Sequence, residues 1–301
     1  MSIDIKSYKE NGIETFEAKV NDETIKWDKD FTYKKHLQLE NLLSSQAPVS
    51  DQPEELLFIT MHQSMEIWIR QCIHEIRTAA KLIKSDELEK SFKTFDRITV
   101  ILRHMINSWE VLATLTPADF LTFRDYLGKA SGFQSYQYRE LEFLLGNKNE
   151  DLIVVHRDNE EISKHLHDTL NAPSVYDEVL MYLDRNGFEI DEAIIDRDWS
   201  KPYKASKDIE VIWQEIYTNV DQHWNLYTFG EKITSLEYYL QEWRFKHMKT
   251  VSRVIGKKVG TGGSSGVNYL VKMLDHTFFP ELWSMRTSLA TGEKSNTKCP
   301  M

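Results

Sequence analysis

The chain has 301 residues, 41% of them apolar and 28% charged, with only 12 Gly and 7 Pro. That length supports a sizeable buried core, and so few Gly and Pro suit long helices better than a turn-rich all-β design. The 37 Lys and Arg set against 47 Asp and Glu leave a net charge of −10, so the global basic footprint of a nucleic-acid binder is missing.

The first 30 or so residues carry a weak alternation at Ile13, Phe16, Ala18 and Val20, which fits a short strand or an ordered arm. From Tyr33 the pattern turns helical through Leu37, Leu39, Leu42 and Leu43, and a polar, Pro-containing loop follows. Residues 54–84 read as one long helix, because Phe58, His62, Met65 and Ile69 share a stripe. Arg77, Lys81 and Lys84 sit towards its end, where cations suit the negative pole of the dipole. A second long helix fits 86–114, with Leu88, Phe92, Phe95, Ile98 and Leu102 in register. A third starts at Thr116 as N-cap, with Pro117 first in the helix and Asp119 completing a capping box. It is expected to run to Gly128, and another helix to stop at Gly146.

Ser174 and Asp177 open a further helix that Asn186–Gly187 ends. Helical stretches are then expected over 208–228, rich in Trp and Tyr, over 231–255, and over roughly 267–276. The loop GKKVGTGGSSGV separates the last two, and the tail GEKSNTKCPM is expected to be disordered. No Pro- or Gly-rich linker splits the chain, so the expectation is one all-α domain over 31–289, an arm over 1–30 and a tail over 290–301. No run approaches the roughly 18 apolar residues of a membrane span, and the N-terminus lacks the layout of a signal peptide. Two cysteines, Cys72 and Cys299, are too few for a disulfide framework, an iron–sulfur cluster or a Cys-rich zinc site. A soluble, cytoplasmic protein without membrane or nucleic-acid partners is expected.

Two histidines stand on apolar stripes. His62 lies between Phe58 and Met65, which fits a core histidine bonded to a neighbour or one that projects into a cavity. His247 shares a face with Leu236, Leu240, Trp243, Val251 and Val254. A neutral imidazole on an apolar wall is a good axial ligand for haem iron, yet a single histidine taken alone is better read as core. Arg124 shares a face with Phe120; its planar fork can grip a carboxylate, or pair with Asp119 or Asp125 on the surface. GTGGSSG has the glycine density for close backbone approach to a ligand, with Thr261, Ser264 and Ser265 as hydroxyl partners. It is neither a Walker loop nor a dinucleotide fingerprint.

Taken together, LFITMHQSMEIWIR, TPADFLTFRDYLGKASGFQS, YRELEFLLGNKN, EWRFKHMKTVSRVIG and GTGGSSGVNYL closely resemble, in order, the haem-dependent tryptophan 2,3-dioxygenases, across roughly residues 30–289. The resemblance implies an all-α homotetramer with one haem b inside each helical bundle. Its activity is insertion of O2 into the indole C2–C3 bond of L-tryptophan to give N-formyl-L-kynurenine, the first step of the kynurenine route, with the iron ferrous. Residue by residue, His247 matches the proximal iron ligand and His62 the distal histidine that meets the indole N–H. Phe58, Ile59, Thr60 and Met61 match the wall leading to His62, with Phe120 beside it. Arg124 matches the carboxylate grip, Ser131 a serine at the haem edge and Thr261 the threonine of the closing loop. The family's N-terminal segment reaches a neighbouring subunit's pocket with two tyrosines. Here Tyr33 matches the first, and His36 stands in place of the second. That departure keeps open a related haem oxygenase acting on a substituted tryptophan. A non-catalytic haem or tryptophan sensor is the other alternative, although a sensor of haem needs no grip on a zwitterion.

Overall fold

A computed structural model of the chain describes residues 4–289, so the expectation for the 290–301 tail lies outside the described residues. The chain divides into two compact units, with the boundary between Asp51 and Gln52.

In the N-terminal unit the expected arm is a three-stranded antiparallel sheet in the order β1-β2-β3, with β1 Ile5–Glu10, β2 Ile13–Val20 and β3 Glu23–Asp28. The expectation there is a short strand or an ordered arm, and the chain as a whole is predominantly helical, as expected. Both connections are two-residue turns, Asn11–Gly12 and Asn21–Asp22, with positive φ throughout, the geometry whose twist matches that of the flanking strands. Cross-strand partners Phe16 and Trp27 stack with their ring centroids 5.7 Å apart. Two short helices follow, α1 Tyr33–His36 and α2 Leu39–Leu43.

The second unit is helical. Three long helices form its frame: α3 Glu54–Lys84, α4 Leu88–Leu112 and, later in the chain, Trp224–Ile255. Between them come α5 Pro117–Phe123, α6 Tyr136–Leu145, α7 Glu160–Asn171, α8 Val175–Arg185, α9 Glu192–Ile195 and α10 Lys207–Thr218. The long third member is α11, followed by α12 Val267–Lys272 and α13 Pro280–Ser288. Helix α4 packs between α3 and α11, while α6 and α8 lie against α3. The frame is cemented by apolar stripes at helical spacing: Ile69, Ile73 and Ile76 on α3, Ile98, Leu102 and Met105 on α4, and Ile233, Leu236 and Leu240 on α11 are all buried. Among the described residues no helix is long and apolar enough to cross a membrane.

Helix α3 has the expected bounds, and Thr116 and Ser174 both form the expected capping boxes. The expected 116–128 helix is α only to Phe123 and narrows into a 3-10 turn over Arg124–Leu127. The break expected near Gly230 lies instead at 219–223, and Gly230 is inside α11. A Cβ at this position would stand 2.9 Å from the Tyr217 hydroxyl and 3.1 Å from the Trp213 ring. The glycine there lets α10 cross close to α11. Arg77 does not serve the end of α3; it binds Glu140 of α6 through Nε and Nη2 at 3.0 and 2.7 Å.

Candidate active site

The frame encloses a cavity of about 280 Å3. Phe58, Met61 and His62 of α3, Phe120 of α5, Arg124, Ser131, His247 of α11 and Thr261 all line it. Ile59 and Thr60 do not: successive helical residues turn by about 100°, so the stripe that presents Phe58, Met61 and His62 carries these two away, and Thr60 is exposed. Tyr33 and His36 belong to the N-terminal unit, where both are exposed.

His62 is held by its own helix. Its Nδ1 lies 2.7 Å from the Phe58 carbonyl, and a carbonyl only accepts, so Nδ1 carries the proton and donates. In the neutral ring Nε2 is then an acceptor. Burial holds the imidazole below its usual range, opposed by the Phe58 carbonyl and the Glu66 carboxylate. The Phe58 ring packs on it at 4.2 Å and also touches Phe120 and Phe123.

His247 is pushed down to about 4, first by burial and then by His62. Its ring stacks on Trp109 at 4.7 Å with an interplanar angle of 12° and leans on Trp243 at 5.7 Å. Among the described residues neither nitrogen of His247 makes a hydrogen bond. A neutral imidazole keeps one ring nitrogen protonated and presents a single lone pair on the other, the kind of donor that is able to bind a metal. No group of three or more His, Cys, Asp or Glu side chains gathers for a metal among the described residues.

One polar region of the wall was not legible in the sequence. Arg139, Glu142 and Arg244 are 4%, 1% and 4% exposed and all line the cavity. Arg244 donates to Glu142 at 3.0 Å, to the Tyr138 hydroxyl at 3.0 Å and to the Met273 carbonyl at 3.3 Å. Arg139 lies 2.7 Å from Glu142, yet its Nε and Nη1 have no hydrogen-bond partner, and neither do the indole nitrogens of Trp109 and Trp243. Both guanidinium groups pair with Glu142, and Arg244 also lies in the field of the buried Glu237 carboxylate.

The glycine loop lies against the segment after α5. Arg124 Nη2 donates to the Val259 carbonyl at 2.6 Å and the Thr261 hydroxyl donates to the Ala130 carbonyl. A Cβ at Gly262 would meet Ser131 Cβ at 2.7 Å, so the contact depends on the missing side chain.

The family model for tryptophan 2,3-dioxygenase matches residues 18–173 and 168–289. The tryptophan 2,3-dioxygenase of Bacillus thuringiensis subsp. konkukian (strain 97-27) is 48% identical over 258 residues, 86% of this chain and 92% of the relative. The chain belongs to the tryptophan 2,3-dioxygenase family. Further relatives bearing that name come from Exiguobacterium sibiricum, 48% identical over 89% of this chain and 97% of the relative, and from Bordetella parapertussis, 43% identical over 91% and 97%. Tryptophan 2,3-dioxygenases are haem enzymes, and the cavity suits such a cofactor. His247 offers one free nitrogen from an aromatic wall, and the Arg139 Nε–H, without a hydrogen-bond partner, is a donor on the polar side of the same cavity.

Proposed function

We propose that the chain catalyses insertion of both atoms of O2 across the indole C2–C3 bond of L-tryptophan, giving N-formyl-L-kynurenine, with haem b held by His247. The observation that carries this reading is the meeting, in one cavity, of His247 with unbonded nitrogens, His62 with a free Nε2 and the Arg124 fork. Ferrous haem, when bound, supplies the O2 activation that no side chain performs.

The protein supplies position and dryness. His62 Nε2 accepts the indole N–H, and the Phe58 and Phe120 rings form an apolar wall for the flat substrate. Arg124 spends one N–H on the Val259 carbonyl and keeps donors for the amino-acid carboxylate. Thr261 and Ser131 sit where the loop meets the 128–132 segment, and loop closure fixes the zwitterion and excludes water. Neutral His62 and His247 add no charge of their own to the wall that the indole meets.

The assembly is read as a homotetramer in which the N-terminal segment, with Tyr33 and His36, reaches a neighbouring subunit. Ile5, Val20, Trp27 and Tyr33 are 55%, 42%, 39% and 75% exposed, and so much exposed apolar surface supports a role at a subunit boundary. A cytoplasmic location fits the acidic composition. The names of the relatives favour the dioxygenase over a haem oxygenase acting on a substituted tryptophan or a sensor without turnover. The test is to mix anaerobically reduced, haem-loaded protein with tryptophan and O2. Growth of the N-formylkynurenine spectrum is expected, whereas unchanged tryptophan or a hydroxylated indole would overturn the reading.

A further inference from the structure

We propose that Phe123, which does not line the cavity, is a positioning residue that sets which ring-substituted tryptophans the site accepts. The inference rests on the tryptophan reading above. Three phenyl rings form a closed triangle: Phe58–Phe120 at 5.8 Å, Phe58–Phe123 at 5.7 Å and Phe120–Phe123 at 5.3 Å, the last pair nearly perpendicular at 84°. Phe58 and Phe120 face the cavity, while Phe123 is 0% exposed and closes the triangle from behind. Edge-to-face packing in a close-packed interior gives the two front rings one resting place.

Phe123 also stands at a junction. It is the last residue of α5, at φ −119° and ψ −7°, where the α-helix narrows into the 3-10 turn that begins with Arg124. One buried ring therefore anchors both the wall residue three positions before it and the fork immediately after it. The start of α5 is pinned as well, since Asp119 accepts from the Thr116 backbone N–H at 3.1 Å and the Thr116 hydroxyl caps the Asp119 N–H at 3.2 Å. With α5 fixed at both ends, the distance from ring wall to carboxylate fork is set by the volume of side chain 123. A smaller residue there opens room behind Phe58 and Phe120. Either ring can then retreat before a bulkier indole.

The experiment uses haem-loaded wild type, Phe123→Leu and Phe123→Ala, with Phe95→Leu as control. Phe95 is equally buried, packs on Phe229 and does not line the cavity. Catalytic efficiency is measured for tryptophan and for 5- and 6-methyltryptophan, together with calorimetric Kd, the Soret band and Tm. One methyl group in an apolar pocket changes discrimination by about 10- to 200-fold. The preference for tryptophan over the better methyl analogue should fall about tenfold in Phe123→Leu, chiefly through KM and Kd, and further in Phe123→Ala. Phe95→Leu should lower Tm and leave the preference unchanged. If Phe123→Ala does not fold, Phe123→Leu decides. Equal losses on all three compounds, or the same shift in the control, overturn the inference. A wild type that consumes none of them refutes the proposed reaction instead, and the Kd ratios still decide the role of Phe123.

Discussion

Gly262→Ala tests how the glycine loop closes. Gly262 does not require a positive φ, so the substitution acts through space alone. The new Cβ would stand 2.7 Å from Ser131 Cβ and 2.9 Å from its Oγ, closer than real Cβ contacts come. Overpacking of this kind costs about 1–3 kcal/mol. Lifting the loop instead gives up the Thr261–Ala130 and Arg124–Val259 hydrogen bonds, each worth about 0.5–1.5 kcal/mol. Both routes cost the same, so the closing equilibrium constant should fall roughly 5- to 150-fold, the equivalent of about 1–3 kcal/mol. The assay is kcat/KM for tryptophan combined with hydrogen exchange over 256–266. The Soret band and Tm should stay put, because Gly262 is exposed and lies outside the core. Ser131→Gly removes both clashing atoms, so combining the two changes should restore part of the loss, with a coupling of about 0.5–3 kcal/mol in a double-mutant cycle. Wild-type efficiency and exchange in Gly262→Ala, or a loss that Ser131→Gly leaves untouched, would refute the reasoning.

Arg124→Lys keeps the charge and loses the fork; efficiency with tryptophan should fall roughly ten- to a hundredfold, at about 1.4 kcal/mol per decade. Tryptamine, which lacks the carboxylate, should hardly register the change, and equal losses on both would remove Arg124 from carboxylate binding. Burial keeps the pKa of His62 below the usual 6.5, so the neutral ring persists as pH falls through 6.5. Efficiency should hold there and decline only at lower pH; an acid limb centred above 6.5 would contradict a neutral His62. His247→Ala should strip haem from the purified protein while His62→Ala retains it, and a full Soret band in the first variant would falsify the ligand assignment.

Helix α3 was legible to its ends because its buried face is mostly apolar, so the 3.6-residue period stands out from Phe58 to Ile69. The α5 cap was legible because Thr-Pro-x-Asp carries its own mechanism. The sheet was legible only as a weak alternation along β2, even though Asn11–Gly12 is a strong hairpin signal. Its strands are largely exposed, and with Ile5, Ile13, Val20 and Ile25 all facing solvent no clean alternation forms. Gly230 misled in the other direction, since a glycine that permits close helix packing looks in sequence like a helix break. Residues 147–172 carried no assignment, although Asn159 caps α7. Within the site, His62, Arg124 and His247 could be picked out as polar residues on apolar faces. Arg139, Glu142 and Arg244 could not, because charges on a helix normally mark its wet side, and only the tertiary fold brings them together. Phe123 escaped notice for a similar reason: its neighbours carry the chemistry, and its contribution is volume.

The most direct test of the central claim is the fate of oxygen. Reduced, haem-loaded protein is given tryptophan under 18O2, and the product is weighed by mass spectrometry before the formyl oxygen exchanges with water. Two labelled atoms in a product of N-formylkynurenine mass are predicted. One labelled atom would make the enzyme a monooxygenase, and none would mean that O2 does not enter the substrate; either result contradicts the account.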